Sequence, residues 1–199
     1  MKNNVLEMNF EKIVDCNAEI AKWNYWDQEH LDVVHGGYTS SDMLYESKNF
    51  LFKIDGVKIP LVPFLKSNTP IFMVQHDEKT LFTFALQFGV LSKTTITMEP
   101  INREKCKVKM NYKFFLNGWR KILKPILKKL IPIWNEKVWL EDLPVKLRRQ
   151  KMIDLNFKDF YGLPNRKEDR VYKGNIKTEL PLKRPKESIR DQHPLKKIN

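Results

Sequence analysis

The sequence predicts an α+β fold in which a curved antiparallel sheet wraps a long C-terminal helix, and three observations predict it. An apolar alternation of strand period opens the chain. Strand-length segments separated by turn residues fill its middle, and from Trp119 onward the apolar period becomes helical.

The elements follow in chain order. Leu6, Met8 and Phe10 alternate, with Ile13 less regular, which marks a first strand over residues 6–14. After Asp15-Cys16-Asn17 the spacing turns helical through Ile20, Trp23, Leu31 and Val34, with Asn17 as N-cap and Gly36-Gly37 as the stop. Strands are expected over 43–45 and 50–54, then a hairpin turn at Asp55-Gly56 leading into a strand over 57–62. Strands over 71–75 and 81–88 flank a turn at His76-Asp77-Glu78-Lys79. In the last pair, over 94–98 and 107–115, Val108, Met110, Tyr112 and Phe114 share one face while Lys107, Lys109, Asn111 and Lys113 share the other, the mark of a sheet with one wet face. The helical stripe Trp119, Ile122, Leu123, Ile126, Leu127, Leu130, Ile131, Trp134 and Val138 is then the face that fills the sheet. Pro125 and Pro132 are expected to kink or split this helix, with a further break at Pro144 before it ends near Leu155.

Length and composition bound the rest. The 199 residues fit one domain, assigned to 1–164, followed by a basic, extended arm over 165–199 that is rich in charge and proline. With 42% hydrophobic and 12% aromatic residues the chain is of globular rather than disordered type. No apolar run reaches the roughly 18–20 residues of a membrane span, and Met1-Lys2-Asn3-Asn4 has no signal-peptide core. Two cysteines do not make a disulfide framework, so a cytoplasmic location is expected. The formal charge of +12, concentrated in residues 120–129 and after Asn165, draws the protein to anionic surfaces. No nucleic-acid recognition motif accompanies it. The basic helix face beside Trp119 and Trp134 admits peripheral membrane contact, although a solvated face on a core helix is the simpler reading, because the apolar stripe is needed inside. A homo-oligomer is left open.

The densest chemistry lies in residues 24–35, where Asn24, Asp27, His30 and His35 follow the order N-x2-D-x2-H-x4-H. Two neutral imidazoles on one short segment can hold a divalent first-row metal, and a carboxylate from elsewhere completes a facial triad with open positions, the arrangement of non-haem Fe(II) oxygenases. The spacing resembles the mononuclear-iron motif of Rieske-type ring-hydroxylating oxygenases. The order of elements looks like the helix-grip fold of the START/SRPBCC superfamily, to which the catalytic domain of those oxygenases belongs.

That resemblance implies His30 and His35 as ligands of a mononuclear Fe(II), Asp27 as the link from His30 toward an electron-donating cluster, and Asn24 in a supporting role near the metal. It implies hydroxylation, demethylation or desaturation of a small hydrophobic substrate with O2. Neither Cys16 nor Cys106 is followed by a histidine at the spacing of a [2Fe–2S] site, so no Rieske cluster is expected in this chain and a separate Rieske or ferredoxin protein must donate the electrons. The third ligand is expected on the long helix. Four residues beyond Val138 the stripe reaches Asp142, with Glu141 as the neighbouring alternative, and the run Val138-Trp139-Leu140-Glu141-Asp142 resembles the family segment that supplies it.

Phe72, Phe82, Phe84, Phe88, Tyr112 and Phe114 are read as core, and in a helix-grip fold as lining of a cavity for a large apolar ligand such as a sterol, polyketide, carotenoid or aromatic compound. Two alternatives stand beside the oxygenase reading. One is a non-enzymatic START-like carrier or sensor of a hydrophobic ligand. The other is one piece of a larger oxygenase, inactive alone.

Overall fold

The opening alternation becomes β1 (Val5–Val14), with Leu6 and Val14 buried and Ile13 turned outward. The structure, a computed structural model, describes residues 4–27, 29–35, 37–47, 49–59 and 62–155. Asn17 caps α1 (Ala18–Trp26) by accepting the Ile20 N–H on its side-chain oxygen at 2.8 Å. A second short helix, α2 (Glu29–Val34), ends in a turn where the amides of Tyr38 and Thr39 donate to the His35 carbonyl at 3.0 and 2.9 Å.

Six further strands follow: β2 (Thr39–Glu46), β3 (Phe50–Ile59), β4 (Val62–Gln75), β5 (Thr80–Gln87), β6 (Val90–Asn102) and β7 (Lys105–Phe115). All pairings are antiparallel, in the order β1-β7-β6-β5-β4-β3-β2. β1 and β2 are consecutive in the chain yet form opposite edges. The segment carrying α1 and α2 therefore has to cross the sheet, which brings the histidines over its inner face. That face buries Leu51, Met73, Leu81, Met98 and Val108 against Ile20 and Trp26 of α1 and against Trp139 of the last helix. Leu51→Ala is expected to lower stability by about 2–5 kcal/mol in urea unfolding, because a fully enclosed methyl pair leaves a void that cannot collapse.

Three expectations need correction. Asp55-Gly56 is not a turn: both residues lie inside β3, paired with Ser41 and Thr69 and with Ser40 and Asn68. Asp55 is tolerated there because Lys53 Nζ and Ser41 Oγ each donate to it at 2.7 Å, and a Cβ at position 56 would lie 2.6 Å from Ser40 Oγ, so crowding rather than turn geometry favours glycine.

The aromatic residues do not all face inward. Met73 and Leu81 occupy inner positions, so strand parity turns Phe72, Phe82 and Phe84 to the outer face, where Phe72 stacks on Phe52 at 4.4 Å and Lys93 Nζ sits 4.0 Å above the Phe82 ring. Phe88 stands exposed in the β5–β6 turn, whereas Tyr112 and Phe114 do face the last helix.

The C-terminal helix is also different. A 3₁₀ turn (Gly118–Leu123) leads into one helix, α3 (Lys124–Asp154), which contains Pro132 and Pro144 without being divided. Both prolines lie on the exposed side of the helix, as do Lys128 and Leu140, the residues whose carbonyls they deprive of a partner. Leu123, Leu127 and Ile131 pack on Leu6 and Phe114 as expected, but Trp119, Ile122 and Ile126 are exposed. The buried side of α3 is instead Asn135, Trp139, Asp142, Lys146, Gln150 and Met152, a largely polar stripe whose polar groups find partners inside. Asn135 donates to the Tyr112 hydroxyl at 3.0 Å, and Gln150 accepts the Asn17 N–H at 2.8 Å. Residues 156–199, with the boundary at 164/165 and the basic arm, lie outside the described residues. Among the described residues no helix is long and apolar enough to cross a membrane.

Candidate metal centre

His30 comes from α2, His35 from the turn after it and Asp142 from the middle of α3, and one ligand atom from each lies within 4.8 Å of the others. All three side chains are buried. Asp142 Oδ1 is 2.9 Å from His35 Nε2 and 3.5 Å from His30 Nε2, and the two rings meet edge to face with centroids 5.5 Å apart. A first-row divalent ion held about 2.1 Å from each donor would space neighbouring donors roughly 3.0–3.4 Å apart. The separations of Asp142 Oδ1 from the two imidazole nitrogens lie close to that range.

The surrounding groups fix the donors. Glu141, expected only as an alternative ligand, sits 2.7 Å from His35 Nδ1, the side opposite Asp142, and accepts a short hydrogen bond from the Tyr38 hydroxyl. Tyr38 oxygen is itself 2.9 Å from His35 Nδ1. This orients the ring so that Nε2 faces Asp142, the carboxylate–histidine arrangement that steadies metal ligands. Asn24, fully buried, donates through Nδ2 to Asp142 Oδ2 at 2.9 Å, and Lys146 Nζ reaches the same oxygen at 3.3 Å. One oxygen of Asp142 is thus held from behind while the other faces the histidines. His30 Nδ1 and Asn24 Oδ1 are buried without a hydrogen-bond partner among the described residues.

Charge shapes the cluster. Burial alone would raise the Asp142 carboxyl, but the two histidines and the Lys146 ammonium hold it far below the usual range. Glu141 is lowered in the same way, by Tyr38 and His35 against burial. His35 moves up: burial opposes its charge, and hydrogen bonds to Asp142 and Glu141 overcome it. Lys146 moves down because burial outweighs the attraction of Asp142. With metal chelated, the His35 contribution is complete below its ordinary 6.5 and is lost as pH rises through the raised value, whereas those of Asp142 and Glu141 are present above their ordinary 3.8 and 4.5 and are lost as pH falls. The melting temperature of EDTA-treated protein is therefore expected to be higher near about pH 5.5 than at about pH 8, and His35→Ala should flatten that slope.

Asp27 ends α1, its N–H donating to Trp23 at 2.8 Å, and its carboxylate receives Arg149 of α3 at 3.3 Å. Burial pulls the Arg149 guanidinium down to about 9 against the pull of Asp27. Tyr38, Lys146 and Arg149 are the participants that sequence reasoning missed. Lys146 stands four residues after Asp142 on one helix, a spacing that puts side chains side by side and offered the available signal, whereas Tyr38 meets His35 through a turn that carries no such spacing rule. Cys16 and Cys106 are both free and buried.

No family model matches the chain, and no curated protein matches it in sequence. Solved structures do. The ZhuI aromatase/cyclase from Streptomyces sp. R1128 superposes with a TM-score of 0.57 at 9% identity, over 74% of this chain and 94% of that one. Dicamba monooxygenase bound to dicamba gives 0.58 at 12% identity over 82% of this chain, which spans only 53% of that enzyme's length. The quaternary ammonium Rieske monooxygenase CntA gives 0.53 at 16% identity, over 76% of this chain and 40% of that one. At such identities the likeness speaks for architecture: a seven-stranded antiparallel sheet closed by a long C-terminal helix, the helix-grip fold.

Proposed function

We propose that this chain is an oxygenase-type catalytic domain that holds a mononuclear Fe(II) on His30, His35 and Asp142 and acts with dioxygen on a hydrophobic or aromatic substrate. The observation that carries the reading is the gathering of these three donors in a buried site, with Asp142 Oδ2 already bound by Asn24 and Lys146. When bound, Fe(II) would supply open coordination positions and a one-electron couple. Glu141 and Tyr38 would keep His35 in the tautomer with Nε2 free, and Asn24 and Lys146 would hold Asp142 to one-oxygen coordination. Asp27, held by Arg149, is assigned the link to a separate Rieske or ferredoxin donor. Glu141→Gln is expected to weaken metal binding about 10–100-fold, read by competition with a chelator.

For the substrate, the inner sheet face offers Met43, Met73, Met98 and Met110, flexible and polarizable side chains that can adapt to an apolar guest. A second reading, a START-like carrier of a hydrophobic ligand without metal, is supported by the near-complete overlap with the ZhuI aromatase/cyclase, 94% of its length. An anaerobic Fe(II) titration of tryptophan emission, run beside binding of the apolar dye anilinonaphthalene sulfonate in EDTA, separates them. Saturable Fe(II) quenching that His35→Ala removes supports the oxygenase reading. Dye binding in EDTA with no Fe(II) response contradicts it and favours the carrier.

A further inference from the structure

We propose that the 3₁₀ turn and the first turns of α3 form a docking surface for an anionic membrane. Trp119 and Ile122 are 68% and 69% exposed, against the expectation that they fill the sheet. They stand three residues apart in a 3₁₀ turn and so point the same way, and the backbone continues in right-handed helical conformation through Leu123 and Lys124 to the half-exposed Ile126. The β5–β6 turn abuts this segment, since a Cβ on Gly89 would lie 2.6 Å from Arg120 Nη2, and it adds the exposed Phe88. A monomer seldom leaves such large apolar side chains together in water without a use for them.

Charge decides the occupant. Lys129, three residues after Ile126, is exposed beside these side chains, Lys121 and Lys128 are exposed on the flank of the same segment, and no Asp or Glu occurs between Glu104 and Glu136. Glu136 is itself engaged by Lys12 at 2.5 Å. A second copy placed symmetrically on this face would set lysines against lysines. The chain's own residues 156–199 carry more Lys and Arg than Asp and Glu and would meet the same repulsion. A bilayer with anionic headgroups complements both parts: lysines meet the headgroups while Trp119, Ile122 and Ile126 enter the acyl boundary, as in interfacial amphipathic helices.

The test is sedimentation of the full chain with vesicles of phosphatidylcholine, with and without phosphatidylglycerol. Binding is expected to the anionic vesicles and to fall with added salt. Each lysine near the surface contributes about fivefold, so Lys121→Glu/Lys129→Glu should weaken it more than about tenfold, Trp119→Ser/Ile122→Ser should abolish it, and Lys79→Glu/Lys109→Glu, near Glu99 and away from the 88–89 turn, should leave it nearly intact. These positions are exposed, and retained far-ultraviolet circular dichroism shows that the variants fold. Equal binding to both vesicle types, no binding to either, or equal losses from the two lysine pairs would overturn the proposal. So would a lipid-free dimer that Trp119→Ser/Ile122→Ser dissociates, or protection of Trp119 from iodide in the free chain.

Discussion

Lys146→Met is expected to lower the stability of the metal-free protein by about 3–5 kcal/mol, and divalent metal is expected to restore much of that loss. Lys146 is wholly enclosed, with Nζ 3.3 Å from Asp142 Oδ2 and 4.9 and 4.7 Å from the ring centres of Tyr25 and Trp139. Methionine fills nearly the same space, so the damage is electrostatic: Asp142 keeps its negative charge in a dry setting with less cation to answer it. A bound divalent ion takes over that role, and Asp142, freed of the ammonium, becomes a stronger donor. Urea unfolding with EDTA and with Fe(II) under argon checks this. The metal-induced gain should be larger in the variant than in the parent. An equal loss in both media would mean that Lys146 acts only as packing.

Asp142→Ala should have the second large effect. It leaves the Lys146 ammonium enclosed without its carboxylate partner, strips Asn24 Nδ2 of its acceptor and removes the group that both histidines face. A loss of about 3–5 kcal/mol is expected, with no recovery on adding metal. Asp142→Leu combined with Lys146→Met should be less destabilised than the sum of the two single changes, because a buried pair replaced by apolar groups leaves no orphaned charge. An additive double variant would contradict the account of this pair.

Much of the architecture was legible locally. The cap at Asn17, the alternation of β1 and β7 and the turn between β4 and β5 each depend on a few neighbouring residues. What failed depends on tertiary choice. In β5 the apolar residues Leu81, Phe82, Phe84 and Ala85 occupy both parities, so the sequence does not say which side is inner; pairing of Leu81 with Ile96 and Gln75 settles it. In α3 the apolar residues outnumber the places available inside, and the polar stripe from Asn135 to Gln150 takes the inner side because its partners are there. Asp55-Gly56 carries a strong local turn signal that Lys53, Ser41 and the crowding at Ser40 override.

The same division runs through the candidate site. The spacing of Asn24, Asp27, His30 and His35 placed these residues on one segment, and a helical step pointed to Asp142. Which oxygen of Asp142 faces the histidines, and that Glu141 lies behind His35 rather than beside Asp142, follow from the crossing of α1 and α2 over the sheet. No spacing encodes that. Lys146 escaped notice because a lysine in a basic helix reads as solvated, and its burial is visible only once Tyr25 and Trp139 are seen to enclose it.

Iron stoichiometry after anaerobic loading and desalting, in the full chain beside His30→Ala, tests the central claim most directly. His30 Nδ1 has no partner among the described residues, so this replacement disturbs the metal-free site less than a change at Asp142. Elemental analysis is expected to find near one iron per chain in the parent and little in the variant. Iron absent from both, or retained equally by both, would contradict the assignment of His30, His35 and Asp142 as its ligands.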